Sequence, residues 1–192
     1  MKISICWLTA AIIFLFAAGC SREDTDNEDG PVFNVQEEFL GEEYTNASKT
    51  WSFRLPAGWS PLTAEEMDAF EEGIAPYIES YPYQFSIRNI YLSPKTGSFA
   101  YIASLPLPPE EAADVIQKEG QDTYSSIAYD TFPVNRVEVT QFRLSTPDLV
   151  DYRLIFQVSD MTFQIDYVLP RSTFDEEIRK LESSIGTLET LR

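Results

Sequence analysis

The 192-residue chain contains no histidine. That removes Ser-His-Asp and Cys-His catalysis, HExxH zinc sites and the side chain that titrates most readily near neutral pH. Cysteine is almost as scarce, with only Cys6 and Cys20. Beyond residue 20 the chain therefore offers neither a disulfide nor a thiol nucleophile. Basic residues are few as well: 14 Lys and Arg stand against 31 Asp and Glu, for a net charge of −17. Such a field repels nucleic acid, whose binding rests on neutralising phosphates, and it disfavours docking onto anionic lipid headgroups. Basic proteins, cations and neutral ligands are the partners it admits. An enzyme built from what remains would run on carboxylates, lysine, serine or tyrosine.

What is present begins at the N-terminus. Lys2 supplies a positive region, Ile3 to Phe16 an apolar one, and small Ala17, Ala18 and Gly19 leave the backbone open before Cys20. The apolar run is short for a membrane span, which needs roughly 20 residues, and an acidic stretch follows it. Cys20 with Ala17-Ala18-Gly19 before it resembles a bacterial lipoprotein signal peptide with its lipobox. That resemblance implies cleavage before Cys20, acylation of its thiol with palmitate-like chains, and a lipid-anchored protein facing the periplasm or the exterior. Several acyl chains give stable anchoring where one is marginal. Ser21, in place of Asp, resembles an outer-membrane sorting signal in enteric bacteria. The alternatives are an uncleaved signal anchor and a plain secretory signal ending near Ala18; the second would leave Cys20 a lone thiol in an oxidising compartment.

Three parts follow from this reading: residues 1–19 as signal peptide, 20–45 as an acidic flexible tether and 46–192 as a single domain. Between Ser21 and Glu43 nine acids face one base, Arg22, a composition that extends and does not fold alone. Val32, Phe33, Val35 and Phe39 are its apolar exceptions, so the boundary is soft. Asp24 to Gly30 has a superficial likeness to a calcium loop, but Asp29 stands where glycine is needed and Val35 where glutamate is. No metal site is expected.

Within the domain, Trp51, Phe53 and Leu55 alternate with polar residues and predict a strand that stops at Pro56. Thr63 and Glu66 have capping-box spacing ahead of Met67, Phe70, Ile74 and Ile78 at helical steps. Strands are predicted over 84–92 and 98–105, joined by Pro94-Lys95-Thr96-Gly97. A helix opens at Pro108-Pro109 and stops or kinks at Gly120. Three more strands fit 134–144, 150–158 and 161–169, the last two a hairpin through Ser159-Asp160. Phe174, Ile178, Leu181, Ile185 and Leu188 then recur at steps of four and three, the apolar stripe of a closing helix capped by Ser172 or Thr173. Asp175 with Arg179 and Glu176 with Lys180 have the spacing of pairs on its wet side.

Trp51-Ser52-Phe53-Arg54-Leu55-Pro56-Ala57-Gly58-Trp59 resembles the F-x-[LIV]-P-x-G-W opening of PsbP-like domains. That group includes the photosystem II extrinsic protein, the mycobacterial LpqN lipoproteins and the DcrB-type envelope proteins. The order of elements over residues 48–188, down to Leu181-Glu182-Ser183-Ser184-Ile185, is similar too. The resemblance implies an α+β fold, an α/β/α sandwich with a central, mainly antiparallel sheet of about six strands and about three helices. It also implies a non-enzymatic module that docks to larger assemblies. Metal-site histidines of some plant members have no counterpart here, and no cofactor is expected.

Aromatic residues are the candidate binding surface. Tyr77, Tyr81 and Tyr83 sit beside a proline-broken helix end, and Trp59 follows a Pro-x-Gly turn. Tyrosine and tryptophan pair apolar area with a polar tip, which suits an interface. Trp59 equally fits a plug under the first helix, while Phe85, Ile87, Phe99 and Tyr101 fit the core. Arg88, Arg136, Arg143 and Arg153 fall on predicted strands and are expected to pair with local acids. Carboxylate sets such as Asp148 with Asp151, or Glu65, Glu66 and Asp68, sit where caps and solvated faces explain them. The sequence thus points to a membrane-anchored envelope lipoprotein that binds a protein partner without catalysis. The alternative is a carrier or sensor of a small apolar or amphipathic ligand held between sheet and helix.

Overall fold

The computed structural model describes residues 33–70, 72 and 85–191. Strands β1 (Leu40–Thr45), β2 (Trp51–Pro56) and β10 (Glu189–Thr190) form a three-stranded sheet in the order β1-β2-β10. Strands β3 (Ser60–Pro61), β4 (Ser86–Leu92), β5 (Phe99–Leu105), β6 (Ser126–Val134), β7 (Val137–Ser145), β8 (Leu149–Val158) and β9 (Met161–Pro170) form a seven-stranded one. Its order is β3-β4-β5-β9-β8-β7-β6, antiparallel throughout. Helices α1 (residues 64–70), α2 (Pro109–Gly120) and α3 (Phe174–Ile185) cover it.

Alternation along the strands assigns the layers. Ala100 and Ile102 of β5, Leu154 and Phe156 of β8 and Ile165 and Tyr167 of β9 face the small sheet and α3, meeting Trp51, Phe53, Leu181 and Ile185. Tyr101 and Ala103 turn the other way, toward Met67 and Phe70 of α1. Phe142, Leu144 and Ile155 on that second face pack on Ala112, Ala113 and Ile116 of α2. The fold is therefore an α+β sandwich with helices on both faces of an antiparallel sheet, as the resemblance implies. The main sheet has seven strands where about six were expected.

Four strands escape the sequence reading, the two-residue β3 and β10 and the longer β6 and β1. β6 joins β7 through Asn135 and Arg136, both at positive φ, a tight turn that neither Gly nor a regular apolar run announces. β1 lies inside the stretch read as tether. Tyr44 pairs with Phe53 in register and packs its ring 5.6 Å away, while Leu40 is buried, so this acidic strand is held by its few apolar residues. The preceding residues dock as well: the Phe33 ring lies 5.7 Å from that of Phe132, and a Cβ on Gly186 would fall 2.7 Å from the Phe33 Cβ. The folded domain thus begins by residue 33 rather than at 46.

Local signals hold in part. Thr63 and Glu66 make the reciprocal capping box, with the Thr63 amide 2.8 Å from Glu66 Oε2 and the Glu66 amide 3.3 Å from Thr63 Oγ1. At α3 the N-cap is Thr173, but its hydroxyl donates back to the Pro170 carbonyl and caps nothing. The expected i,i+4 pairs are also replaced: Glu176 pairs with Lys95 across the fold, and Lys180 with Glu177 one turn back.

Candidate functional site

The second face of the sheet carries a buried polar cluster. Antiparallel register sets Tyr101 of β5, Asp166 of β9 and Arg153 of β8 side by side in one row across three strands. The two-residue period puts Asp151 and Gln164 on the same face. Arg153 Nε donates to both oxygens of Asp166 at 3.0 Å, and its Nη2 donates to Asp151 Oδ2 at 3.0 Å. The Tyr101 hydroxyl donates to Asp166 Oδ2, and Gln164 Nε2 reaches the same oxygen at 3.1 Å. Asp166 and Gln164 are wholly buried, Arg153 is 1% exposed and Asp151 7%.

Two carboxylates thus share one guanidinium away from water. Burial pushes the Asp151 carboxyl up to about 7; the neighbouring Asp166 charge adds to this, and Arg153 only partly opposes it. Burial also raises Asp166, against the pull of Arg153 and the donated bonds from Tyr101, Arg153 and Gln164. Asp151 Oδ1 is buried with no hydrogen-bond partner among the described residues, which marks Asp151 as the carboxyl better suited to carry a proton. Chemically the cluster resembles a buried ion-pair triad more than a general acid and base facing a substrate.

A third buried acid lies on the opposite face. Glu177, in the first turn of α3, is wholly buried and accepts from Trp59 Nε1 at 3.0 Å and from Lys180 Nζ at 2.9 Å. Trp59 follows Gly58, whose φ of 81° lets the chain turn back after β2. The indole packs against Tyr167, with ring centres 6.1 Å apart. Trp59 is 5% exposed. It is a plug, but beneath α3 and not the first helix, so it does not belong to an exposed binding surface. Trp59→Phe keeps one aromatic ring under α3 and deletes the donor to Glu177; denaturant unfolding should show a loss of about 1–3 kcal/mol.

Of the other candidates, Cys20, Tyr77, Tyr81 and Tyr83 lie outside the described residues. Asp148 and Asp151 do not form a pair: Asp148 is exposed in the β7–β8 turn, whereas Asp151 is buried in the triad. Glu66 serves its capping box and Glu65 and Asp68 are exposed. Only Arg153 of the four strand arginines forms an ion pair among the described residues; Arg88 donates to Ser104 Oγ at 3.0 Å, Arg143 interacts with the Tyr152 hydroxyl and Arg136 sits in the β6–β7 turn. The triad did leave a trace in the sequence. Asp151 and Arg153, then Gln164 and Asp166, occupy one parity of two adjacent, largely apolar strands. Among the described residues no set of three acids is placed to hold a metal ion, and no helix is long and apolar enough to cross a membrane.

No known family and no characterised relative matches the sequence. Among solved structures, a protein from Bacteroides thetaiotaomicron aligns with 80% of this chain at 13% identity and a TM-score of 0.44. This chain spans 49% of that protein's length. Cyanobacterial PsbP from Synechocystis aligns with 84% of the chain and 98% of its own at 9% identity and a TM-score of 0.49.

Proposed function

We propose that this chain is a lipid-anchored protein of the bacterial envelope whose domain binds a protein partner without catalysing a reaction. The observation that carries the reading is the pairing of the buried acids. Asp151 and Asp166 are both tied to Arg153, and Glu177 to Trp59 and Lys180. General acid–base work needs a carboxyl within hydrogen-bond reach of a substrate proton. Asp166 and one oxygen of Asp151 are occupied by groups of the same sheet, Glu177 by Trp59 and Lys180, and the remaining Asp151 oxygen is buried. Recognition then falls to the outer surface. The lipobox-like Ala17-Ala18-Gly19-Cys20 supports the anchor, and the absence of histidine supports the lack of catalysis.

The test is a crosslinking pull-down from intact cells, comparing the native chain with Cys20→Ala. The reading expects the same envelope protein in stoichiometric amount from the anchored form and its loss from the other. Equal recovery from both forms removes the anchor from the account. A purified domain that retains a small amphipathic molecule and captures no protein replaces the adaptor with a carrier.

A further inference from the structure

The seven-stranded sheet ends in two unequal edges. At one lies β3, two residues long; at the other lies β6, nine residues long, with no strand beyond it among the described residues. A long edge invites further pairing, so the groups on its outer side decide what can join it.

Register identifies those groups. The Thr146 amide donates to the Leu149 carbonyl, and counting back from that pair makes Leu144, Phe142 and Thr140 bond β8, while the residues between them bond β6. Their partners Ala128 and Asp130 therefore bond inward, and Ile127, Tyr129, Thr131 and Pro133 direct their backbone groups outward. Two of these are blunted: Pro133 has no amide hydrogen, and the Thr131 amide donates to Asp130 Oδ1 at 2.9 Å. Ile127 and Tyr129 keep both N–H and C=O unpaired among the described residues.

Side chains next to these open groups differ between the two faces. On the α2 face Tyr129 stacks on Phe142 with ring centres 5.4 Å apart, yet it is 55% exposed. Ile127 packs beside it in the cluster under α2. On the other face Asp130 is exposed and has no ion pair among the described residues. The diagonal cation, Arg143, interacts instead with the Tyr152 hydroxyl on β8.

We propose that β6 takes up, at Ile127 and Tyr129, an extended basic segment of the partner polypeptide as an added antiparallel strand. The inference deepens the protein-binding reading and rests on it. In that register the segment reads basic, apolar, any, apolar: a Lys or Arg opposite Asp130, then apolar residues opposite Tyr129 and Ile127. A second copy of this chain does not fit. Its own β6 holds no Lys or Arg to set against Asp130, and two chains of net charge −17 repel.

The test places the photo-crosslinker p-benzoylphenylalanine at position 129 of the full chain in cells and sequences the adduct. One segment of another polypeptide with the basic, apolar, any, apolar pattern is expected. Asp130→Lys should lower the yield at least tenfold, and Glu65→Lys, an equal charge change on α1, should leave it unchanged. A synthetic copy of the captured segment should slow exchange of the Ile127 and Tyr129 amides at least tenfold. An adduct with the chain itself, a segment without a cation, equal losses from both variants or unchanged exchange each overturns the proposal. If the Cys20-dependent pull-down captures a protein but position 129 yields no adduct, the edge assignment fails and the partner reading stands. If neither captures a protein, both fall.

Discussion

Arg153→Met should cost about 3–5 kcal/mol at neutral pH, because it leaves two buried carboxylates with no cation to face. The methionine matches the arginine stem in length, so packing loss is a small part of the change. Asp166 keeps its bonds from Tyr101 and Gln164, but Asp151 loses the one bond it has among the described residues. Urea unfolding at pH 5 and pH 8 separates charge from packing: the deficit should be smaller at pH 5, where the carboxyls take up protons more readily. Asp151→Leu/Arg153→Met/Asp166→Leu should recover part of the loss, since apolar replacement of a whole buried triad is often neutral or better. A single-variant cost below about 1 kcal/mol would show that the triad is not the closed, desolvated cluster described.

The same cluster should give the protein an uncommon pH profile. Asp151 titrates near 3.8 when unfolded and near 7 in the fold. Between those values the native chain holds a proton that the unfolded chain has released, so stability falls as pH rises through this window. The slope from this one group is about 1.4 kcal/mol per pH unit, and it flattens above pH 7. The raised Asp166 acts in the same direction. The lowered carboxyls of Glu66 and Glu176 act oppositely, but below their ordinary value of 4.5, outside most of the window. Asp151→Asn, which keeps an acceptor for Arg153 and carries no charge, should flatten the profile from pH 5 to pH 8. At pH 8 it should exceed the parent chain by roughly 1–3 kcal/mol. Thermal melts across that range check both statements; a parent profile rising toward pH 8 would contradict them.

The layered fold was legible because its strongest signals are local. The α3 stripe, the Pro108-Pro109 helix start, the Thr63/Glu66 box and the Ser159-Asp160 hairpin each need only a few neighbouring residues. What escaped depends on distant partners. β1 reads as tether by charge and becomes a strand because β2 supplies Phe53 to Tyr44. β6 hides behind a turn of Asn and Arg, residues that reach positive φ without announcing it. Asp151 looks like a turn acid beside Asp148 until β8 is seen to start at Leu149, which puts it on one face with Arg153 two residues on, and register then brings Asp166 beside them. Trp59 was legible as a plug but not in its place, since the acid that receives it, Glu177, lies 118 residues further on. Charge at α3 misled for the same reason: Glu176 has the spacing to serve Lys180 and finds Lys95 instead.

The central proposal is that a lipid anchor on Cys20 holds at a membrane a domain that binds a protein partner. Native mass spectrometry of the protein released from its own membranes in mild detergent tests it most directly. The account predicts an acylated chain, with a second polypeptide bound in fixed ratio and no small molecule retained by the domain. A chain without acyl groups, or one that carries a small ligand and no protein, would contradict it.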